Sequence, residues 1–189
     1  FTLQYELSYS NVLNMLDLAG LPVRAADRHS LTPIVVGGGP CACNPEPMAE
    51  FFDVISLGEV EEVYDEFFDL LEECKEKNCT KEEFLRCVSK IDGMYVPSLY
   101  DVEYNADGTI SAVVPKDGAP KKVTKRIVSD LDAVKYPDKF IVPYIEVVHD
   151  RVVHEILRGC IRGCRFCQAG FLYRPIREKT PDTINDQCR

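Results

Sequence analysis

Cysteines at 160, 164 and 167 form a C-x3-C-x2-C pattern within residues 158–170, and no other stretch constrains the chain as tightly. Gly159 and Gly163 flank the first two thiols and let the segment double back, since glycine tolerates backbone angles closed to other residues. Three sulfurs can then converge on one point. An apolar run over 152–157 reads as the strand that delivers this loop. Three soft, anionic donors select zinc, copper(I) or an iron–sulfur cluster over a hard cation. An iron–sulfur cube usually takes four cysteines. Three leave one iron open, and an open coordination position marks a site that binds substrate, as in catalytic zinc. The other reading is a structural zinc site completed by Cys188, in a non-catalytic module that binds a partner. If a cluster forms, Cys188 is a small apolar residue on the following helix.

Nine cysteines in 189 residues raise the question of a disulfide scaffold. Their odd number, their clustering and the size of the chain favour reduced thiols and a cytoplasmic protein. A net charge of −9 argues against broad nucleic-acid binding. No run approaches the roughly 18 apolar residues of a membrane span, and residues 1–4 carry neither a basic region nor a cleavage site. No membrane partner is expected. The chain begins without Met and stops soon after the cysteine loop, so it reads as an internal piece of a longer protein.

Residues 1–92 read as an α/β domain with a parallel sheet, residues 93–146 as a hairpin and linker, and residues 147–189 as a further strand–loop–helix unit. Residues 1–7 look like the end of a strand. Ser8 or Ser10 caps a helix to Leu18, with Val12, Leu13, Met15, Leu16 and Ala19 as its apolar face and Gly20 as its stop. Strands are expected over 33–36 and 53–57, the first running into Gly37, Gly38 and Gly39, with a turn and short helix over 45–52 between them. An acidic helix over 59–77 repeats Val60, Val63, Tyr64, Phe67, Leu70, Leu71 and Cys74 at helical spacing. Thr80 and Glu83 spell a capping box for a second helix to about Ile91. Cys74, Cys79 and Cys87 fall on or near this pair and read as core or bystander thiols. A hairpin over 95–114 turns at 105–108, and the proline-bearing stretch 115–148 reads as a linker. Thr180 and Pro181 start the last helix.

The cysteine spacing, with aromatic Phe166 just before the third cysteine, resembles the cluster motif of the radical S-adenosylmethionine (SAM) superfamily. Taken with residues 1–6, 8–20, 36–41, 44–47, 93–100, 148–151 and 158–177, the chain resembles one bacterial family of radical SAM proteins. That family carries an N-terminal cobalamin-binding-like domain, and its reaction is unassigned. The resemblance implies a partial Rossmann-like parallel sheet domain over 1–92, then a hairpin and linker, then the first β/α unit of a radical SAM (partial TIM) barrel from 147. It implies a [4Fe-4S] cluster with Cys160, Cys164 and Cys167 each on one iron and SAM on the fourth. Reductive cleavage of SAM to a 5′-deoxyadenosyl radical would lead to hydrogen abstraction from an unknown substrate, with an electron donor as partner. The isolated fragment is not expected to turn over.

Phe166, Gly37, Gly38 and Gly39 are the candidate cofactor-binding residues. The glycines would admit a phosphate or a corrin tail, or else permit a turn. Two departures weigh against cobalamin. The sequence has no D-x-H-x-x-G loop, which would lie before Phe1, and Val60 stands where relatives are expected to have the middle glycine of Gly-Glu-Gly-Glu-Glu. Arg158, Arg162, Arg165, Arg174 and Arg177 make the cysteine region basic, either favouring thiolates and SAM's carboxylate or pairing with the acidic helix. His154 and Glu155 lie on opposite faces of the delivering strand and have no assigned role.

Overall fold

The computed structural model describes residues 1–137, 139–149, 151 and 153–189. It divides into two compact units, Phe1–Ile127 and Val128–Arg189.

The first unit is built on a small sheet. Strand β1 (Val36–Gly37) pairs parallel with β2 (Val54–Ser56), which pairs antiparallel with β3 (Met94–Tyr95). The chain start extends the parallel edge through a Thr2–Gly38 bridge, with Leu3 N–H donating to the Gly38 carbonyl at 2.6 Å. Successive strand residues point to opposite faces and feed two different cores. Val35, Ile55 and Tyr95 pack with Leu3, Val12, Leu16, Met48 and Phe52. Val54, Met94 and Val96 pack with Val63, Phe67, Phe84, Leu85 and Val88. Helix α1 (Tyr9–Leu18) therefore covers one face, and α2 (Val63–Glu76) and α3 (Lys81–Val88) the other.

The architecture is mixed α/β, and the all-parallel layer expected from the sequence stops at β2. Gly93, at φ 89° and with an added Cβ only 3.0 Å from the Leu57 carbonyl oxygen, brings the chain back so that β3 runs antiparallel. Tyr95 thus belongs to the sheet, and the hairpin starts later, as β4 (Tyr100–Tyr104) and β5 (Ile110–Pro115). Its turn closes where expected, with Gly108 N–H donating to the Asn105 carbonyl at 3.0 Å. In α1, Val12 and Leu16 are buried but Met15 is exposed, so the apolar stripe is narrower than its sequence. Ser8 donates its hydroxyl to the Tyr5 carbonyl rather than capping the helix. The capping box of α3 forms in full: Glu83 N–H donates to Thr80 Oγ1 and Thr80 N–H to Glu83 Oε2. These bonds, first the one from the Thr80 backbone, hold the Glu83 carboxyl below its ordinary range.

Asp53, just before β2, ties these pieces together. Its side chain is 1% exposed and lies between Arg28 and Lys81, themselves almost fully buried. Both Arg28 Nε and Nη2 stand 3.2 Å from Asp53 Oδ2, which also accepts the Val35 N–H at 2.7 Å. Lys81 Nζ lies 2.6 Å from Oδ1 as a charge contact, since Oδ1 has no directed hydrogen bond. The remaining donors of the two cations go to backbone carbonyls, Arg28 to Pro22, Val23 and Phe51, and Lys81 to Ala25 and Arg28.

In the second unit, β6 (Leu157–Arg158) pairs antiparallel with β7 (Arg177–Glu178), with α4 (Ala169–Leu172) between them and α5 (Pro181–Gln187) after them. Of the strand expected over 152–157, only Leu157 is in a strand among the described residues. Val152 lies outside those residues, as does Asp150 of the 148–151 motif. Val153 and Ile156 are exposed, and apolar alternation makes a ladder only when a neighbouring strand supplies partners. Thr180 does cap α5, accepting the Thr183 N–H at 3.3 Å, with Pro181 at the first position.

Removing one partner of a buried charge group leaves the others uncompensated. Asp53→Asn should therefore cost about 3–5 kcal/mol, read as a lower midpoint in urea denaturation. A loss no larger than the ~1 kcal/mol of an exposed pair would contradict this role for Asp53.

Candidate metal centre

The cysteine loop is closed at its base by the two-residue ladder of β6 and β7, and Lys179 N–H adds a bond to the Ile156 carbonyl at 3.0 Å. Gly159 makes this closure possible. It sits at φ 103°, and a Cβ there would come within 2.7 Å of the Pro175 oxygen and 2.8 Å of the Ile176 Cα. Gly163 has no such constraint, since an added Cβ meets nothing within 4 Å. Of the two glycines read as turn-makers, the close approach requires only the first. Gly170, at the start of α4, lies against the loop's own backbone, with an added Cβ 2.9 Å from the Arg162 oxygen.

Cys160 and Cys167 are half-buried and Cys164 is exposed, with Cys167 N–H donating to the Cys164 carbonyl at 3.1 Å. All three are free thiols. Among the described residues, no three His, Cys, Asp or Glu side chains converge on a metal-sized point. The donor set still fits a soft metal group: three thiols on one exposed loop whose ends are fixed and whose tip is open. Phe166 is 93% exposed at that tip. Cys188 is exposed at the C-cap of α5, the helix that follows the loop.

The basic residues have more local duties than the sequence implied. Arg158 grips Glu155 with two parallel bonds, Nε to Oε1 at 2.8 Å and Nη2 to Oε2 at 2.9 Å. Arg177 donates to the Val128 carbonyl at 2.6 Å and to the Pro175 carbonyl at 3.1 Å, and Arg174 lies 5.0 Å over the Phe171 ring. Arg162 and Arg165 are exposed on the loop. Behind the ladder, Asp132 accepts the Thr180 N–H at 2.9 Å, which holds its carboxyl below the ordinary range. A group that sequence reasoning missed lies beside it. The Tyr136 ring stands 4.6 Å from His154 and 4.7 Å beneath Lys179 Nζ, and both His154 nitrogens are buried without a hydrogen-bond partner. Tyr136 sits in an aperiodic stretch, so no pattern announced it.

In the first unit, Gly37, Gly38 and Gly39 border a cavity of about 510 Å³ at the carboxyl ends of β1 and β2. Val60, Tyr64 and Phe68 form part of its wall. Packing alone already demands two of the glycines. An added Cβ at Gly37 would meet the Phe52 ring at 3.0 Å, and Gly39, at φ 95°, would meet the Leu3 carbonyl oxygen at 2.9 Å.

Comparison with known proteins bears on both units. The family profile of radical SAM proteins, N-terminal, matches residues 1–97, just over half of the chain. The chain belongs to this radical SAM family. The match covers the sheet, all three helices of the first unit and the start of the 3-10 turn at Pro97, and it ends well before the cysteine loop. An uncharacterized protein of Methanocaldococcus jannaschii is 27% identical over 184 residues, covering 97% of this chain and 32% of the relative. The chain thus spans about a third of that relative's length. No solved structure matches. No helix among the described residues is long and apolar enough to cross a membrane.

Gly159→Ala should open the base of the loop at a cost on the order of 1–3 kcal/mol, seen as faster hydrogen exchange at the Lys179 amide. Gly163→Ala should leave that amide unchanged. Equal effects from both would contradict the steric assignment.

Proposed function

We propose that this chain is part of a radical SAM enzyme, with Cys160, Cys164 and Cys167 as the ligands of a [4Fe-4S] cluster. The observation that carries this reading is the C-x3-C-x2-C loop, closed at its base and open at its tip, in a chain whose first half belongs to a radical SAM family. Three cysteines leave the fourth iron free for the amino and carboxylate groups of SAM. When bound, the cluster supplies the electron that cleaves SAM reductively, giving the 5′-deoxyadenosyl radical that takes hydrogen from a substrate.

The chain's own residues hold and shape that site. The β6–β7 ladder and Gly159 fix the spacing of the loop ends, while the exposed tip leaves Cys164 and Phe166 free to meet an incoming ligand. Arg162 and Arg165 add positive charge on the cysteine loop, which suits an anionic cluster and attracts the SAM carboxylate. In this reading residues 147–189 open the catalytic barrel, residues 93–146 lead into it, and the protein works in the cytoplasm with an electron donor. The cavity beside Gly37, Gly38 and Gly39 is the place for a small molecule in the first unit. Val60 in its wall weighs against a corrin there.

Anaerobic reconstitution with iron and sulfide tests the reading. The chain should take up about four irons and turn brown, and Ser at any one of Cys160, Cys164 or Cys167 should abolish most of that uptake. Cys188→Ala should change nothing. A colourless protein with one zinc, lost with Cys188, would replace the enzyme reading with a structural zinc module.

A further inference from the structure

The α2–α3 turn brings two thiols together. Helix α2 ends at Glu76, and Asn78 takes the left-handed conformation at φ 54°. Two backbone bonds then close the helix end: Cys79 N–H to the Cys74 carbonyl at 2.9 Å and Asn78 N–H to the Lys75 carbonyl at 3.2 Å. Helix stops of this kind characteristically place the residue after the left-handed one against the residue five positions earlier, and the contact is usually apolar. Here both positions are cysteines. Cys74 is buried in the core, and Cys79, half-buried, packs against the same core. Cys87, on α3, is an exposed third thiol.

We propose that Cys74 and Cys79 are a redox-active dithiol, converted by hydrogen peroxide to an intramolecular disulfide across the end of α2. The backbone bond at 2.9 Å sets the two cysteines side by side, the approach a disulfide needs. Access is one-sided. Cys79 lines an open depression of about 570 Å³ with Lys75, Asn78 and Thr80, whereas Cys74 faces the core beside Phe67 and Phe84. Burial first, then the neighbouring Cys79 thiol, pushes the Cys74 thiol up to about 11, so Cys74 is a protonated thiol at neutral pH.

The order of events follows. Cys79 sulfur attacks one peroxide oxygen, the O–O bond breaks, and Cys79 becomes a sulfenic acid with release of water. Cys74 sulfur then attacks the Cys79 sulfur, and the S–O bond breaks. The hydroxyl leaves as a second water carrying the Cys74 proton. Two thiols lose two electrons and two protons, and one peroxide takes them up. The disulfide lies directly before Thr80 and Lys81, so the thiol state is written next to the group that holds Asp53. This inference is independent of the cluster reading, since all its residues lie in the first unit.

Hydrogen peroxide added to the reduced protein, followed by alkylation and non-reducing peptide mapping, tests it. The expected product is a Cys74–Cys79 linked pair of peptides, both protected from alkylation together and both restored by dithiothreitol. Cys87→Ala should leave the link intact, and Cys79→Ser should abolish it and leave Cys74 alkylatable after unfolding. Phenylarsine oxide, which bridges adjacent thiols, should protect the same pair in the wild-type protein without any substitution. A Cys79–Cys87 link, over-oxidation of Cys79 with Cys74 still free, or independent alkylation of the two thiols in the presence of the arsenical would each overturn the proposal.

Discussion

Asp53 is the residue on which the first unit depends. Taking one carboxylate and two cations out of water costs several kcal/mol per ion unless nearly every donor finds a partner. Here the partners are backbone carbonyls of segments that would otherwise end raggedly: Pro22, Val23 and Ala25 in the loop after α1, and Phe51 just before β2. The Val35 amide, at the entry to β1, bonds to the same carboxylate at 2.7 Å. One side chain thus registers the starts of both parallel strands and the first turn of α3. A sheet with strands of two or three residues has few ladder bonds of its own, so this registration matters more than it would in a larger sheet.

Local signals were legible in the sequence because local physics produces them. Thr80 with Glu83, Thr180 with Pro181 and the left-handed stop at Gly20 all act within a few residues, and all form as read. The Asp53 group was not legible, since Arg28 and Lys81 lie 25 and 28 positions away and charged residues ordinarily belong on the surface. The direction of β3 was missed for a related reason. Gly93 looked like a boundary between segments, whereas its positive φ folds the next residues back onto β2.

Around the cysteines, chemistry is more legible in the sequence than shape. The spacing of Cys160, Cys164 and Cys167 names a class of ligand, but the apolar run before it does not build a long strand among the described residues. What closes the loop is a short antiparallel ladder to Arg177 and Glu178, with Gly159 giving way to Pro175 and Ile176. A ladder of two residues leaves no pattern for periodicity to find. The glycines at 37–39 show the same limit, because strand packing against Phe52 and Leu3 requires two of them whether or not a ligand enters the cavity.

In the proposed reading, three cysteines leave one iron open for SAM. Electron paramagnetic resonance of the reconstituted, reduced protein with and without SAM tests it most directly. The expected result is the signal of a reduced [4Fe-4S] cluster whose g-values shift when SAM is added. A cluster signal that SAM leaves unchanged would contradict it, because SAM has no other reason to perturb iron whose coordination is already complete.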